Sequence, residues 1–202
     1  MAARIDYHVF ISSPWAYLGS ERFAAMAKKY GAEVKIVAMA PLSIFDATGG
    51  LPLAKRSQQR QDYRFVELER WRTHLGIELN LRPKGFPTNE TTAGKLVTAA
   101  RETYGNDKAI ALAHAMMRGL WAEERDIANA DDLKAIITGN GCDAAKLFAM
   151  IETPDLVAEY ERGTQQAVAA GAFGAPFYIV EGERFWGQDR LDFVERKLAD
   201  LA

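Results

Sequence analysis

The stretch Phe10-Ile11-Ser12-Ser13-Pro14-Trp15-Ala16-Tyr17-Leu18 constrains this chain more than any other. The apolar run from Tyr7 to Ile11 reads as a short buried strand. Two serines and a proline follow, and the period then changes. Tyr17, Leu18, Phe23, Met26 and Ala27 recur at helical spacing, and Gly31 supplies the stop. Ser13 sits where an N-cap belongs, and Pro14 at the first helical position, where its missing N–H costs nothing. A hydroxyl is thereby held at a strand end and at the positive end of a helix dipole. A thiolate brought to that place would be stabilised by backbone N–H groups and by the serine. The plainer reading is that Ser13 only caps the helix, which many Ser-Pro pairs do.

Residues 5–12 form the first strand and 14–30 the first helix. Residues 33–39, with Val34, Ile36 and Val37, form a second strand, and Pro41 closes the unit. The intervening helix makes parallel β-α-β pairing the natural reading. Residues 48–52 form a loop. A helix over residues 58–74 carries Tyr63, Val66, Leu68, Trp71 and Leu75 at helical spacing and ends at Gly76. Residues 79–89 contain Pro83, Gly85 and Pro87 and read as extended loop. Helices then follow from Thr91 or Thr92 to Tyr104 and over residues 107–124, 131–138, 143–151 and 154–170. Residues 177–180 form a strand, Glu181-Gly182 a hairpin turn, Arg184-Phe185-Trp186 the return strand, and 190–201 a last helix.

A β-α-β start and a β-β-α end, separated by helices, predict an α/β fold: a thioredoxin-like domain with a large all-helical insertion. The boundaries follow as residues 1–42 and 171–202 for the domain and 43–170 for the insertion. The layout places an active group at the start of the first helix. It also places a proline, often cis, before the third strand. Ser13 and Pro176 occupy those two positions.

Charge and cysteine content narrow the function. The 202 residues carry a net charge of −2, so nothing favours nucleic acid or an anionic membrane. No apolar run reaches membrane-spanning length, and the first residues lack an export signal's apolar core. A cytoplasmic location is therefore expected. The histidines His8, His74 and His114 show no ligand spacing, so no metal is expected. The single cysteine, Cys142, lies in the helical insertion and reads as a buried structural thiol. A disulfide oxidoreductase needs an attacking and a resolving thiol at the helix start. Here that tetrad is Ser13-Pro14-Trp15-Ala16.

Ser12-Ser13-Pro14-Trp15-Ala16-Tyr17-Leu18, Phe173-Gly174-Ala175-Pro176 and Trp186-Gly187-Gln188-Asp189-Arg190-Leu191 together resemble the 2-hydroxychromene-2-carboxylate isomerases. These are relatives of kappa-class glutathione transferases and, more distantly, of bacterial disulfide oxidoreductases. The resemblance covers nearly the whole chain, including Tyr63, Glu67, Arg70 and Trp71. It implies glutathione as cofactor, with Ser13 facing its sulfur. Ala175, before Pro176, would pair through its backbone with the cysteinyl part. Gln188 and Asp189 would hold the γ-glutamyl end, where a carboxylate suits an ammonium group. Arg60 falls near a family lysine beside the glycyl carboxylate, with Lys55 as a competitor. Asn89 would lie near the substrate pocket. Plainer readings remain: Asp189 as a cap, Arg60 as a surface charge and Asn89 as a turn residue. The family often has serine where Ala16 stands, and residues 48–60 align poorly with it.

The resemblance therefore implies a glutathione-dependent isomerase in which Ser13 stabilises the thiolate of glutathione. The substrate would be a small aromatic molecule. Trp15, Tyr17 and Trp121 are candidates for an aromatic wall, with core packing expected for at least two of them. Alternatives are a kappa-like transferase, which would release a glutathione conjugate, and a non-catalytic binding module. A homodimer is expected by analogy with the fold.

Overall fold

The computed structural model describes residues 2–202. The chain begins with β1 (Arg4–Val9), α1 (Pro14–Lys29) and β2 (Glu33–Ala38). Helices α2 (Pro41–Thr48), α3 (Gln58–Leu75), α4 (Thr91–Tyr104), α5 (Asn106–Ala122), α6 (Ala130–Gly139), α7 (Ala144–Met150) and α8 (Pro154–Ala169) follow. The chain ends with β3 (Phe177–Val180), β4 (Glu183–Trp186) and α9 (Leu191–Leu201). Short 3-10 turns lie at Leu53–Lys55 and Gln188–Arg190.

The four strands form one mixed sheet in the order β2-β1-β3-β4. β1 runs parallel to β2, with Tyr7 opposite Ile36, and antiparallel to β3, with Tyr7 opposite Tyr178. This is the thioredoxin-like arrangement with a helical insertion that the element order predicts. The turn between β3 and β4 has positive φ at both Glu181 and Gly182, as a tight two-residue hairpin requires.

Side-chain alternation along the strands feeds two separate layers. Ile5, Tyr7, Val9, Ile36, Tyr178 and Val180 join a large core with α1, α4, α5 and α9. Tyr7, Phe23 and Tyr178 pack at its centre, with ring centroids 4.4–5.2 Å apart. Val37, Phe177 and Ile179 face the other way, against Ile44 of α2 and Ala167 of α8. The inserted helices share the sheet's own core: residues of α4, α5, α6 and α7 belong to the same buried cluster as β1 and β3.

Two local features depart from expectation. Pro41, which follows the β-α-β unit, also opens a helix the sequence reading did not expect, α2, because Pro at the first helical position is pre-set for helix. On α3 the spaced apolar residues do not all point inward. Leu68 is fully buried, whereas Tyr63 and Val66 are exposed.

Candidate active site

Ser13 is where the local rules place it. Its φ and ψ are −81° and 118°, and its Oγ accepts from the Ala16 N–H at 3.2 Å. The Ser13 N–H in turn bonds the Phe10 carbonyl at 3.1 Å, turning the chain from strand to helix. Pro14 has no N–H and the Ala16 N–H is taken, so of the first helical amides Trp15 is the one left to face a ligand. Across from the cap, the Ala175–Pro176 bond is cis. The Ser13 hydroxyl donates to the Ala175 carbonyl at 3.4 Å, a long bond that is cheap to redirect.

Beside this junction lies a cleft of about 290 Å³. Trp15 and Ala175 form its inner end, Glu67 and Trp71 of α3 form one wall, and Trp186 through Arg190 form the other. Two glycines make the second wall possible. Gly19 of α1 lets the 188–190 turn approach, since a Cβ there would lie 2.7 Å from the Gln188 Cβ. Gly187 has φ +102°, and a Cβ on it would collide with Asp189 Oδ1. Gln188 is buried and its Oε1 accepts from Arg22 at 3.0 Å, so its side chain is tied to α1. The Asp189 carboxylate is exposed and paired with Arg190 at 2.9 Å.

The structure thus brings Ser13, Trp15, Ala175, Pro176, Gln188 and Asp189 to one place. Five other candidates lie elsewhere. Trp121 is fully buried among the inserted helices, against Phe86, and is no wall of this cleft. Tyr17 is also buried. Its hydroxyl donates to the Glu78 carbonyl and its ring stacks on His114, lining a separate polar hollow with Arg118. Asn89 caps its own turn, accepting from the Thr91 N–H at 3.0 Å. Arg60 is exposed on the first turn of α3 and lines neither hollow. Lys55 is exposed in the 3-10 turn before that helix.

Three contributors were not singled out from the sequence. Trp71 and Trp186 line the cleft. Trp71 carries the signal of α3's inward spacing, and Trp186 that of an edge-strand aromatic just before the Gly187 turn. The third is Glu90, which is buried just before α4. Its carboxyl accepts from the backbone N–H groups of Ile11 at 2.7 Å and Ser12 at 2.8 Å, and from the Ser12 hydroxyl. It anchors the strand exit from behind. Burial raises its ionisation to about 7, against the pull of those three donors. Cys142 is buried far along the chain in the insertion, and burial pushes its thiol up.

Asp189 offers a carboxylate and Ser13 a hydroxyl. The Ala175 N–H makes no hydrogen bond within the described chain. These groups offer an exposed carboxylate, a hydroxyl and a free backbone N–H beside the cis proline. Among the described residues, no cluster of His, Cys, Asp and Glu could hold a metal, and no helix is long and apolar enough to cross a membrane.

A mixed sheet of this order, a helix start facing a cis proline and a helical insertion define a class. The chain belongs to the DSBA-like thioredoxin domain family, which it matches over residues 5–199. Within that class its full-length relatives point to a narrower group. It is 28% identical over 204 residues to a 2-hydroxychromene-2-carboxylate isomerase of Sphingobium xenophagum, covering 99% of this chain and all of that one. The solved structure of a 2-hydroxychromene-2-carboxylate isomerase superposes with a TM-score of 0.80 at 24% identity, covering 98% of this chain and 95% of that one. A probable DsbA oxidoreductase of Streptomyces coelicolor superposes with a TM-score of 0.76 at 23% identity, covering 98% and 89%.

Proposed function

We propose that the protein is a glutathione-dependent isomerase acting on bicyclic carboxylates of the 2-hydroxychromene-2-carboxylate type. The observation that carries this reading is the Ser13 hydroxyl, held at the α1 N-terminus opposite Ala175 and the cis Pro176. Full-length similarity to isomerases of that name supports it. The dithiol chemistry of the oxidoreductase relatives lacks its groups here, because serine and alanine stand at the helix start and the one cysteine is buried elsewhere.

Bound glutathione would supply a thiol that adds reversibly to a conjugated ring system, so that the ring opens and a carbon–carbon bond can turn. The chain's part is binding and electrostatics. The Ser13 Oγ–H, which donates to the Ala175 carbonyl at 3.4 Å, would be available to a bound thiolate, as would the Trp15 N–H and the helix dipole. A free thiol ionises near 8.5, so donors aimed at the sulfur raise the reactive fraction at neutral pH. The Ala175 backbone would hold the cysteinyl segment, and Asp189 with the 188–190 turn would hold the γ-glutamyl end. Trp15, Trp71 and Trp186 offer flat apolar faces to the substrate.

Calorimetry with glutathione on wild type, Ser13→Ala and Asp189→Ala tests the reading. Wild type should bind, Asp189→Ala should bind more weakly, and Ser13→Ala should bind without acidifying the thiol. No binding to wild type at millimolar glutathione would sink the proposal. Product analysis separates the kappa-like alternative: an isomer free of glutathione supports isomerisation, and an adduct supports transfer.

A further inference from the structure

Trp186 is the most exposed of the four tryptophans, at 53%, whereas Trp15 and Trp71 are half-buried and Trp121 is fully buried. It closes β4, the edge strand of the sheet, after the charged Glu183 and Arg184. An exposed indole on a sheet edge invites unwanted association, so a place that keeps one calls for a reason. The indole is also seated from behind. It lies on the backbone of the buried Gly174, where a Cβ would stand 2.8 Å from Nε1 and 3.4 Å from Cε2. Gly174 does not have the positive φ that calls for glycine on conformational grounds, so it is the indole that excludes a side chain there. Phe173 tilts against the same ring at 57°, with centroids 4.7 Å apart, and itself stands edge-on to the buried Phe177 at 5.6 Å. The backbone is pinned as well. Trp186 pairs with Phe177 across the ladder, and the Gly187 N–H donates to the Pro176 carbonyl at 2.9 Å.

Trp186 lines the cleft together with Ala175, whose carbonyl accepts from the Ser13 hydroxyl. Trp71 stands in the opposite wall. The two indoles do not meet: the ring partner of Trp71 is His74 on its own helix, and that of Trp186 is Phe173. The cleft is therefore open between an indole on each wall, and only one of the two is braced by the segment that carries the cis Pro176 bond.

We infer that Trp186, seated on Phe173 and Gly174, is the specificity-determining residue for the substrate ring: a preformed platform on which a flat fused-ring acid stacks within the cleft beside Ser13. A stacking face that is already fixed loses little freedom on binding, so its contact goes into selecting flat rings. This role rests on the isomerase reading for the nature of the ligand, and deepens it by setting Trp186 apart from the other two cleft tryptophans.

The test is calorimetry on the full chain with glutathione and, separately, with chromone-2-carboxylate, a stable flat fused-ring acid. Trp186→Ala should weaken binding of the fused-ring acid about 5- to 50-fold. Trp186→Phe, which keeps a smaller flat face, should lose less. Glutathione affinity should stay within about threefold in both variants, which also reports an intact fold. Gly174→Ala keeps the indole but pushes it off its seat, so it too should weaken acid binding. Combined with Trp186→Ala it should add no further loss, because no indole is then left to displace. The platform is overturned if wild type does not bind the acid with or without glutathione, or if Trp186→Ala binds it unchanged. Equal losses for acid and glutathione, or losses at 174 and 186 that add in full, overturn it as well. Acid binding that depends on Trp186 in a protein that does not bind glutathione would refute the isomerase proposal and leave the platform standing. Glutathione binding with acid binding indifferent to Trp186 would do the reverse.

Discussion

Glu90 shows how one side chain sets the strand exit. Its carboxyl ionises near 4.5 in an unfolded chain and at about 7 in the fold. Between those values the folded state keeps a proton that the unfolded state has lost, so the Glu90 contribution to stability falls as pH rises and levels off above about 7. His8 and His114 are shifted down by burial and act in the opposite direction as pH rises. The readout is therefore wild type minus Glu90→Gln, by urea unfolding at pH 5 and 7.5. That difference should shrink with pH. Glu90→Gln itself should cost about 1–3 kcal/mol at pH 5, because an amide nitrogen cannot accept from the Ile11 or Ser12 N–H. A difference that grows with pH would show that the three donors outweigh burial. Ser13 works beside it on a smaller scale. Ser13→Ala removes the N-cap acceptor and should lower stability by about 1 kcal/mol, apart from any effect on glutathione. A melting temperature unchanged in that variant would mean that the Ala16 N–H finds another acceptor.

The elements meet closely at the Gly19 contact between α1 and the 188–190 turn. Alanine is the better helix former by about 1 kcal/mol, yet its Cβ would meet the Gln188 Cβ at 2.7 Å. Overpacking of that kind costs about 1–3 kcal/mol, so Gly19→Ala should be neutral to destabilising and should push Asp189 out of place. Thermal melts with glutathione titration check this. A stabilised variant with unaltered binding would show that the turn gives way freely. The same contact marks what a sequence can tell. Ser13, Pro14, Pro176 and the Glu181-Gly182 turn were legible because backbone chemistry at each is local. Pro41 marked the end of the β-α-β unit, but the helix it opens was not read. Tyr63, Val66 and Trp121 show that helical spacing does not say which side of a helix is covered, or by what. Glu90 was not legible at all, since its partners lie 78 and 79 residues away along the chain.

At the scale of the molecule, the question is whether the inserted helices unfold with the sheet. Their side chains share one core with β1 and β3, and Arg101 bolts the two parts together from inside. Its guanidinium is only 8% exposed and reaches Glu159 of α8 at 2.6 Å, Glu102 of α4 at 2.8 Å and the Ile36 carbonyl of β2 at 3.1 Å. Arg101→Met would fill similar space but leave the Ile36 carbonyl without this donor and the half-buried Glu159 with Arg162 alone. Breaking a buried pair in this way costs about 3 kcal/mol or more. For a chain of this size that corresponds to roughly 6–12 °C in melting temperature. Because the core is continuous, the whole transition should move as one, with far-UV and near-UV signals still coincident. If the far-UV loss splits into an early helical step and a late one, the insertion has a stability of its own and the shared core couples it only weakly to the sheet.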